Sequence, residues 1–90
     1  MVYYVYLARC RDQSLYAGIC LDPNEREKIH NSGKGAKYTR SRLPIRFVFI
    51  EQCTSKSIAL KREAAIKRLK KAEKEKLLTS HSTHRSKLLR

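Results

Sequence analysis

Ninety residues carry 21 Lys and Arg against 8 Asp and Glu, a formal charge of +13, and a chain of this length supports one compact domain with a modest core. A surface so positive selects a polyanion. Membrane is the disfavoured choice, because no stretch approaches the ~20 apolar residues of a span and the densest basic segment lacks bulky aromatic anchors, which leaves nucleic acid as the expected partner.

Residues 1–8 are apolar and aromatic but have no basic leader region and run directly into Arg9 and Arg11, so they do not read as a signal peptide and a cytoplasmic location is expected. The run Val2-Tyr3-Tyr4-Val5-Tyr6-Leu7-Ala8 is a strand by its β-branched and aromatic content, and Leu15-Tyr16-Ala17-Gly18-Ile19 is a second. Between them Arg11-Asp12-Gln13-Ser14 is turn material. In the resulting hairpin Tyr3, Val5 and Leu7 share one face and Tyr4 and Tyr6 the other. A turn centred near Asp12 makes Tyr6 and Tyr16 diagonal neighbours on one face, whereas a one-residue slip separates them.

Asp22 is a helix cap followed by Pro23 at the first position and Glu25 where a capping-box acid belongs. That helix is expected to reach about residue 31, with Gly33 as terminator. Residues 32–44 read as a loop carrying Lys34, Lys37, Tyr38, Arg40 and Arg42, closed by Pro44. A third strand spans residues 45–51, a long helix residues 55–71 and a shorter one residues 72–78. The domain is thus residues 1–78, and the polar, basic residues 79–90 read as a disordered tail. The order β-β-α-β-α-α predicts an α/β (α+β) sandwich with a three-stranded, mainly antiparallel sheet flanked by helices. It excludes the RNA-recognition motif and the double-stranded-RNA domain, whose element orders differ. Cys10, Cys20 and Cys53 are an odd number without metal-ligand spacing and read as small apolar residues.

Tyr4-Val5-Tyr6 and, ten residues on, Tyr16-Ala17-Gly18 are followed by Arg26, His30 and Glu63. Five positions in this order resemble the GIY-YIG nuclease superfamily, which includes homing endonucleases and the incision subunit of bacterial nucleotide excision repair. Residues 30–40, His-Asn-Ser-Gly-Lys-Gly-Ala-Lys-Tyr-Thr-Arg, resemble its small stand-alone, YhbQ-like bacterial group. The resemblance implies a magnesium- or manganese-dependent endonuclease acting on nucleic acid, DNA ahead of RNA, with a preference for single-stranded or structured substrate and a place in DNA repair. It makes Tyr6, Tyr16, Arg26, His30 and Glu63 the catalytic residues and Glu63 the ligand of one divalent ion. Two departures stand against it: Ile19 occupies a position where some relatives carry Lys, and no Asn follows Asn31. They leave open a non-catalytic nucleic-acid-binding module with a vestigial site.

Chemistry gives each residue a reason. Glu63 lies one turn from Ala59 and Ile66 on an apolar helix stripe, so it faces inward unless it merely pairs with Lys67 at i+4. One carboxylate suffices for Mg²⁺, which keeps waters and takes phosphate oxygens as further ligands. Tyr6 is the candidate general base, given nearby positive charge to favour its phenolate, and Tyr16 positions water or phosphate; the two roles are exchangeable. Arg26 and His30, at i and i+4, can meet one anion, Arg as a fork and His as donor or proton carrier. Lys34, Lys37, Tyr38, Arg40 and Arg42 suit a phosphate backbone and one stacked base, or are a solvated loop. His81 and His84 lack acidic or cysteine partners for a metal, and Glu73 and Glu75 read as surface ion pairs.

Overall fold

The two tyrosine-rich runs pair as their alternation requires: in a computed structural model, which describes residues 2–80, β1 (Tyr3–Arg9) and β2 (Leu15–Cys20) form an antiparallel hairpin. Its turn is held by Asp12, whose carboxylate accepts from the Ser14 N–H at 3.0 Å and from its hydroxyl, while Gln13 takes a positive φ of 71°. β3 (Arg46–Cys53) adds antiparallel to the other edge of β1, giving the order β2-β1-β3. The expected three-stranded α+β sandwich is the observed fold.

The register shifts between Leu7 and Ala8, which face Phe49 and Phe47, so Val48 is an extra residue in β3. A bulge of this kind reverses the alternation beyond it. Phe47 and Ile50 consequently join Tyr6 and Ala8 on one face, and Val48 and Phe49 join Val5 and Leu7 on the other. The second face is roofed by α3 (Lys56–Lys67), which inserts Ala59 and Ile66, and by Leu77 and Leu78 of α4 (Lys71–Ser80). Full burial of side chains such as Leu7, Phe49 and Ile66 contributes about 1.5–3 kcal/mol each.

Residues 22–45 cover the first face. α1 (Pro23–Ile29) starts as expected, with the Asp22 carboxylate accepting from Glu25 N–H at 3.2 Å. The region expected to be a plain loop is instead ordered: a wide π-type turn at His30–Lys34 passes through Gly33 at φ 84°, and a helical turn, α2 (Lys37–Arg40), follows. Asn31 explains part of that order, because its side chain donates to Ile45 O at 3.0 Å and accepts from Ile45 N–H at 2.7 Å. Glu27 likewise accepts from Phe47 N–H at 2.7 Å and ties α1 to β3.

The long C-terminal helix ends four residues earlier than its composition suggests, at Lys67. Glu73 is the reason: its carboxylate accepts from the Lys70 N–H at 2.9 Å and starts α4 as a separate helix. Glu75, also expected on the surface, pairs with Lys71 and additionally grips Arg9 of β1 through two bonds of 2.6 and 2.8 Å. That Arg9 fork pulls the Glu75 carboxyl down to about 2. α4 continues to Ser80, past the expected domain end at residue 78, and the rest of the expected tail, with His81 and His84, lies outside the described residues.

Candidate active site

Tyr6 pairs with Gly18 and Ala8 with Tyr16, the diagonal register, and it sets the two phenol rings 6.5 Å apart on the face under α1. The bulge then brings Phe47 beneath Tyr6, stacked at 4.0 Å and 13°. Gly18 is required by this packing: a Cβ there would lie inside contact distance of the Tyr6 hydroxyl.

That hydroxyl is 2.9 Å from Nε2 of His30, a residue only 2% exposed rather than a helix-surface histidine. Nδ1 of His30 is 2.9 Å from the hydroxyl of Thr39, which is wholly buried and donates to the Ala36 carbonyl at 2.9 Å. Gly35 lies so close that a Cβ would overlap His30 Nδ1. The ordered segment 30–40 is therefore the frame of the histidine. In the sequence the cations of this segment mask Gly35 and Thr39, whose glycine-to-threonine spacing was the available signal.

A pocket of about 380 Å³ gathers Tyr6, Tyr16, Arg26, His30 and Glu63, with Lys34 at its side. Its walls come from α1 on one face and α3 on the other, with Gly18 and Ile19 of edge strand β2 between them. All five residues singled out as catalytic thus line one cavity. The Arg26 guanidinium and the Lys34 ammonium have no hydrogen-bond or ion-pair partner among the described residues. Glu63 realises both sequence alternatives: its side chain is 18% exposed at the pocket wall and lies 3.5 Å from Lys67.

Burial, and then the neighbouring Tyr16, hold the Tyr6 phenol well above its ordinary value of 10.0, and Arg26 offsets only part of that. Desolvation of the anion thus outweighs the nearby Arg26 cation, so that guanidinium alone does not supply the positive charge a phenolate needs. Burial, with Arg26 second, pushes His30 below its ordinary 6.5, so the ring is neutral at neutral pH.

The basic loop is sorted by its contacts. Tyr38 stacks on Tyr16 at 5.7 Å and 20°, and its other neighbour is the Arg42 guanidinium, 3.9 Å from the ring centroid. Arg42 also donates to Asp12 at 3.0 Å and to Tyr38 O at 2.8 Å, which locks it to the hairpin turn. Lys37 and Arg40 are exposed on α2. Two roomier clefts, of about 420 and 540 Å³, gather no comparable set.

A profile of the GIY-YIG catalytic domain matches residues 2–76. The chain belongs to the GIY-YIG family. Among its relatives, a UPF0213 protein of Streptococcus pneumoniae is 46% identical over 78 residues, which is 87% of this chain and 79% of the relative. One of Syntrophus aciditrophicus is 49% identical over 76 residues, 83% of this chain and 87% of the relative. The solution NMR structure of a UPF0213 protein from Bacillus halodurans is 44% identical, with a TM-score of 0.58 over 88% of this chain and 84% of that one. An E. faecalis protein solved by NMR is 38% identical, with a TM-score of 0.62 over 92% and 88%. GIY-YIG membership makes this a member of a nuclease family and nucleic acid its substrate class. No helix among the described residues is long and apolar enough to cross a membrane.

Proposed function

We propose that this GIY-YIG protein is a divalent-metal-dependent endonuclease that hydrolyses phosphodiester bonds in single-stranded or branched DNA. One observation carries the reading: two phenols, an unpaired guanidinium, a buried histidine and a half-buried carboxylate converge on one pocket, with Tyr6 hydrogen-bonded to His30. Arg26 and Lys34 would fix the phosphate as fork and point charge. The attacking water gives a proton to the Tyr6 oxygen as the Tyr6 proton moves to His30 Nε2, leaving a phenol, an imidazolium and the new P–O bond; the departing oxygen takes its proton from solvent. Tyr16, whose hydroxyl has no partner among the described residues, would hold the water.

Among the described residues no cluster of three or more His, Cys, Asp or Glu forms a closed metal cage. The donor set, Glu63 at an open wall, instead fits a hard cation such as Mg²⁺ or Mn²⁺ that completes its sphere with water and phosphate oxygens. Such an ion supplies charge neutralisation at the phosphoryl oxygens. An unpaired strand can bend one phosphate into the pocket, which supports the single-strand preference, and the choice of DNA rests on the DNA-cutting proteins that the motifs resemble. Lys37 and Arg40 would track the flanking backbone. A second reading, binding without cleavage, is favoured by Lys67, which already supplies Glu63 with a cation at 3.5 Å. Incubation with single-stranded, branched and duplex DNA and RNA, with Mg²⁺, Mn²⁺ or chelator, decides between them: metal-dependent cutting of unpaired or branched DNA supports the nuclease, and binding without cutting under every condition supports the alternative.

A further inference from the structure

Thr39 makes two contacts, and a hydroxyl has one proton to share between them. Its Oγ1 lies 2.9 Å from the Ala36 carbonyl and 2.9 Å from His30 Nδ1. A carbonyl oxygen only accepts, so the Thr39 proton points to Ala36. Toward the imidazole Thr39 then has only lone pairs to offer, and Nδ1 must carry the hydrogen. In a neutral ring that leaves Nε2 bare, and the Tyr6 hydroxyl 2.9 Å away must donate to it. The Ala36 carbonyl thus sets one direction for the whole chain of bonds, from Tyr6 to His30 to Thr39 to the backbone. Reversing it would place two acceptors face to face in a site where Thr39 is fully buried and His30 is 2% exposed.

We infer that Thr39 is a positioning residue that holds His30 in the Nδ1–H tautomer, so that Nε2 stands ready to take the proton of Tyr6. The selection is needed because the other tautomer, usually favoured by a free imidazole, would donate from Nε2 to the Tyr6 oxygen and so could not take the phenol's proton. Gly35 completes the device, since a Cβ there would overlap the ring that meets Thr39. The catalytic consequence rests on the proposed nuclease function, whereas the tautomer itself does not.

Two-bond ¹H–¹⁵N correlation spectra of the 90-residue chain at mildly alkaline pH test this directly, with His30→Gln used to separate the ring from His81 and His84. The expected result is a protonated Nδ1 and an unprotonated Nε2 in the wild type. Thr39→Val keeps the shape and removes the acceptor, and should move the ring toward the Nε2–H form; Thr39→Ser should restore Nδ1–H. On a cleaved oligonucleotide, Thr39→Val should lower kcat about 100-fold with KM little changed, and Thr39→Ser should recover most of it. A wild-type ring protonated on Nε2, or a Thr39→Val ring still protonated on Nδ1, overturns the inference. The wild-type spectrum decides the direction even if the valine variant fails to fold. If the tautomers follow expectation but no variant, wild type included, cuts nucleic acid, the positioning role of Thr39 stands and the nuclease proposal falls.

Discussion

The face of the sheet under α3 and α4 is filled by Val5, Leu7, Phe49, Ala59 and Ile66, whereas the face under residues 22–45 buries polar atoms from Tyr6 through His30 to Thr39. The first kind of packing depends on volume and forgives exchanges that preserve it. The second depends on every donor meeting an acceptor, since an unmatched buried polar group costs about 1–3 kcal/mol. It is also close-fitting, with Gly18 and Gly35 pressed against the Tyr6 hydroxyl and the His30 ring. Most of the candidate site thus lies on the side of β1 under residues 22–45, with Glu63 reaching the same pocket from α3, and substitutions on the two faces should fail in different ways.

Phe49→Ala on the apolar face carries the largest expected stability loss, about 3–5 kcal/mol from lost transfer and the cavity left behind. Denaturant midpoints measure it, and cleavage per folded molecule should be unchanged; a proportionate loss of activity would erase the contrast between the faces. Gly18→Ala on the polar face should cost about 1–3 kcal/mol by overpacking, and it should abolish cleavage even where the protein is fully folded, because the new methyl displaces the Tyr6 hydroxyl.

Acid should act on the polar face. His30 is held below its ordinary 6.5, so the folded state binds fewer protons than the unfolded one in the window beneath that value. The contribution is complete above about pH 6.5 and is lost as pH falls toward the depressed folded value, at no more than about 1.4 kcal/mol per pH unit. Unfolding curves at stepped pH should lose this slope in His30→Gln; a wild type as stable at pH 5 as at pH 7.5 would contradict the burial of a neutral ring. The smallest effect separates two cations of the basic segment. Lys34→Ala should reduce the salt dependence of nucleic-acid binding by about one unit of log-log slope, while Arg42→Ala, losing its bonds to Asp12 and Tyr38, should leave the slope alone and cost stability instead.

The hairpin was legible because period-2 alternation and a short polar turn determine it locally, whereas the register that makes Tyr6 and Tyr16 diagonal neighbours was an assumption that the structure bears out. Arg26, His30 and Glu63 were legible as a set only through the order of the motifs, since a helix histidine by itself carries no mark of burial. What stayed hidden depended on contacts distant in sequence. The Val48 bulge is invisible in a run of four apolar residues, yet it puts Phe47 under Tyr6. The Arg9–Glu75 fork joins residues at opposite ends of the domain, and composition pointed Glu75 only at the neighbouring lysines, of which it also meets Lys71. Residues 32–44 looked like a loop because Gly, Ser and Pro favour turns; their order comes from the neighbouring Asn31 on Ile45 and from Thr39 on Ala36. The burial that raises the Tyr6 phenol was hidden for the same reason: charge can be counted in a sequence, and desolvation cannot.

The central claim is that cleavage is seated at Tyr6 and Glu63. Glu63→Gln keeps the shape and removes the charge that would hold a cation; Tyr6→Phe keeps the stack on Phe47 and removes the oxygen that takes the proton. With both variants and the wild type purified identically and given Mg²⁺ and a single-stranded oligonucleotide, each variant should bind nearly as well as the wild type and cut at least about 100-fold more slowly. Two variants that cut as fast as the wild type would place the activity elsewhere and contradict the account.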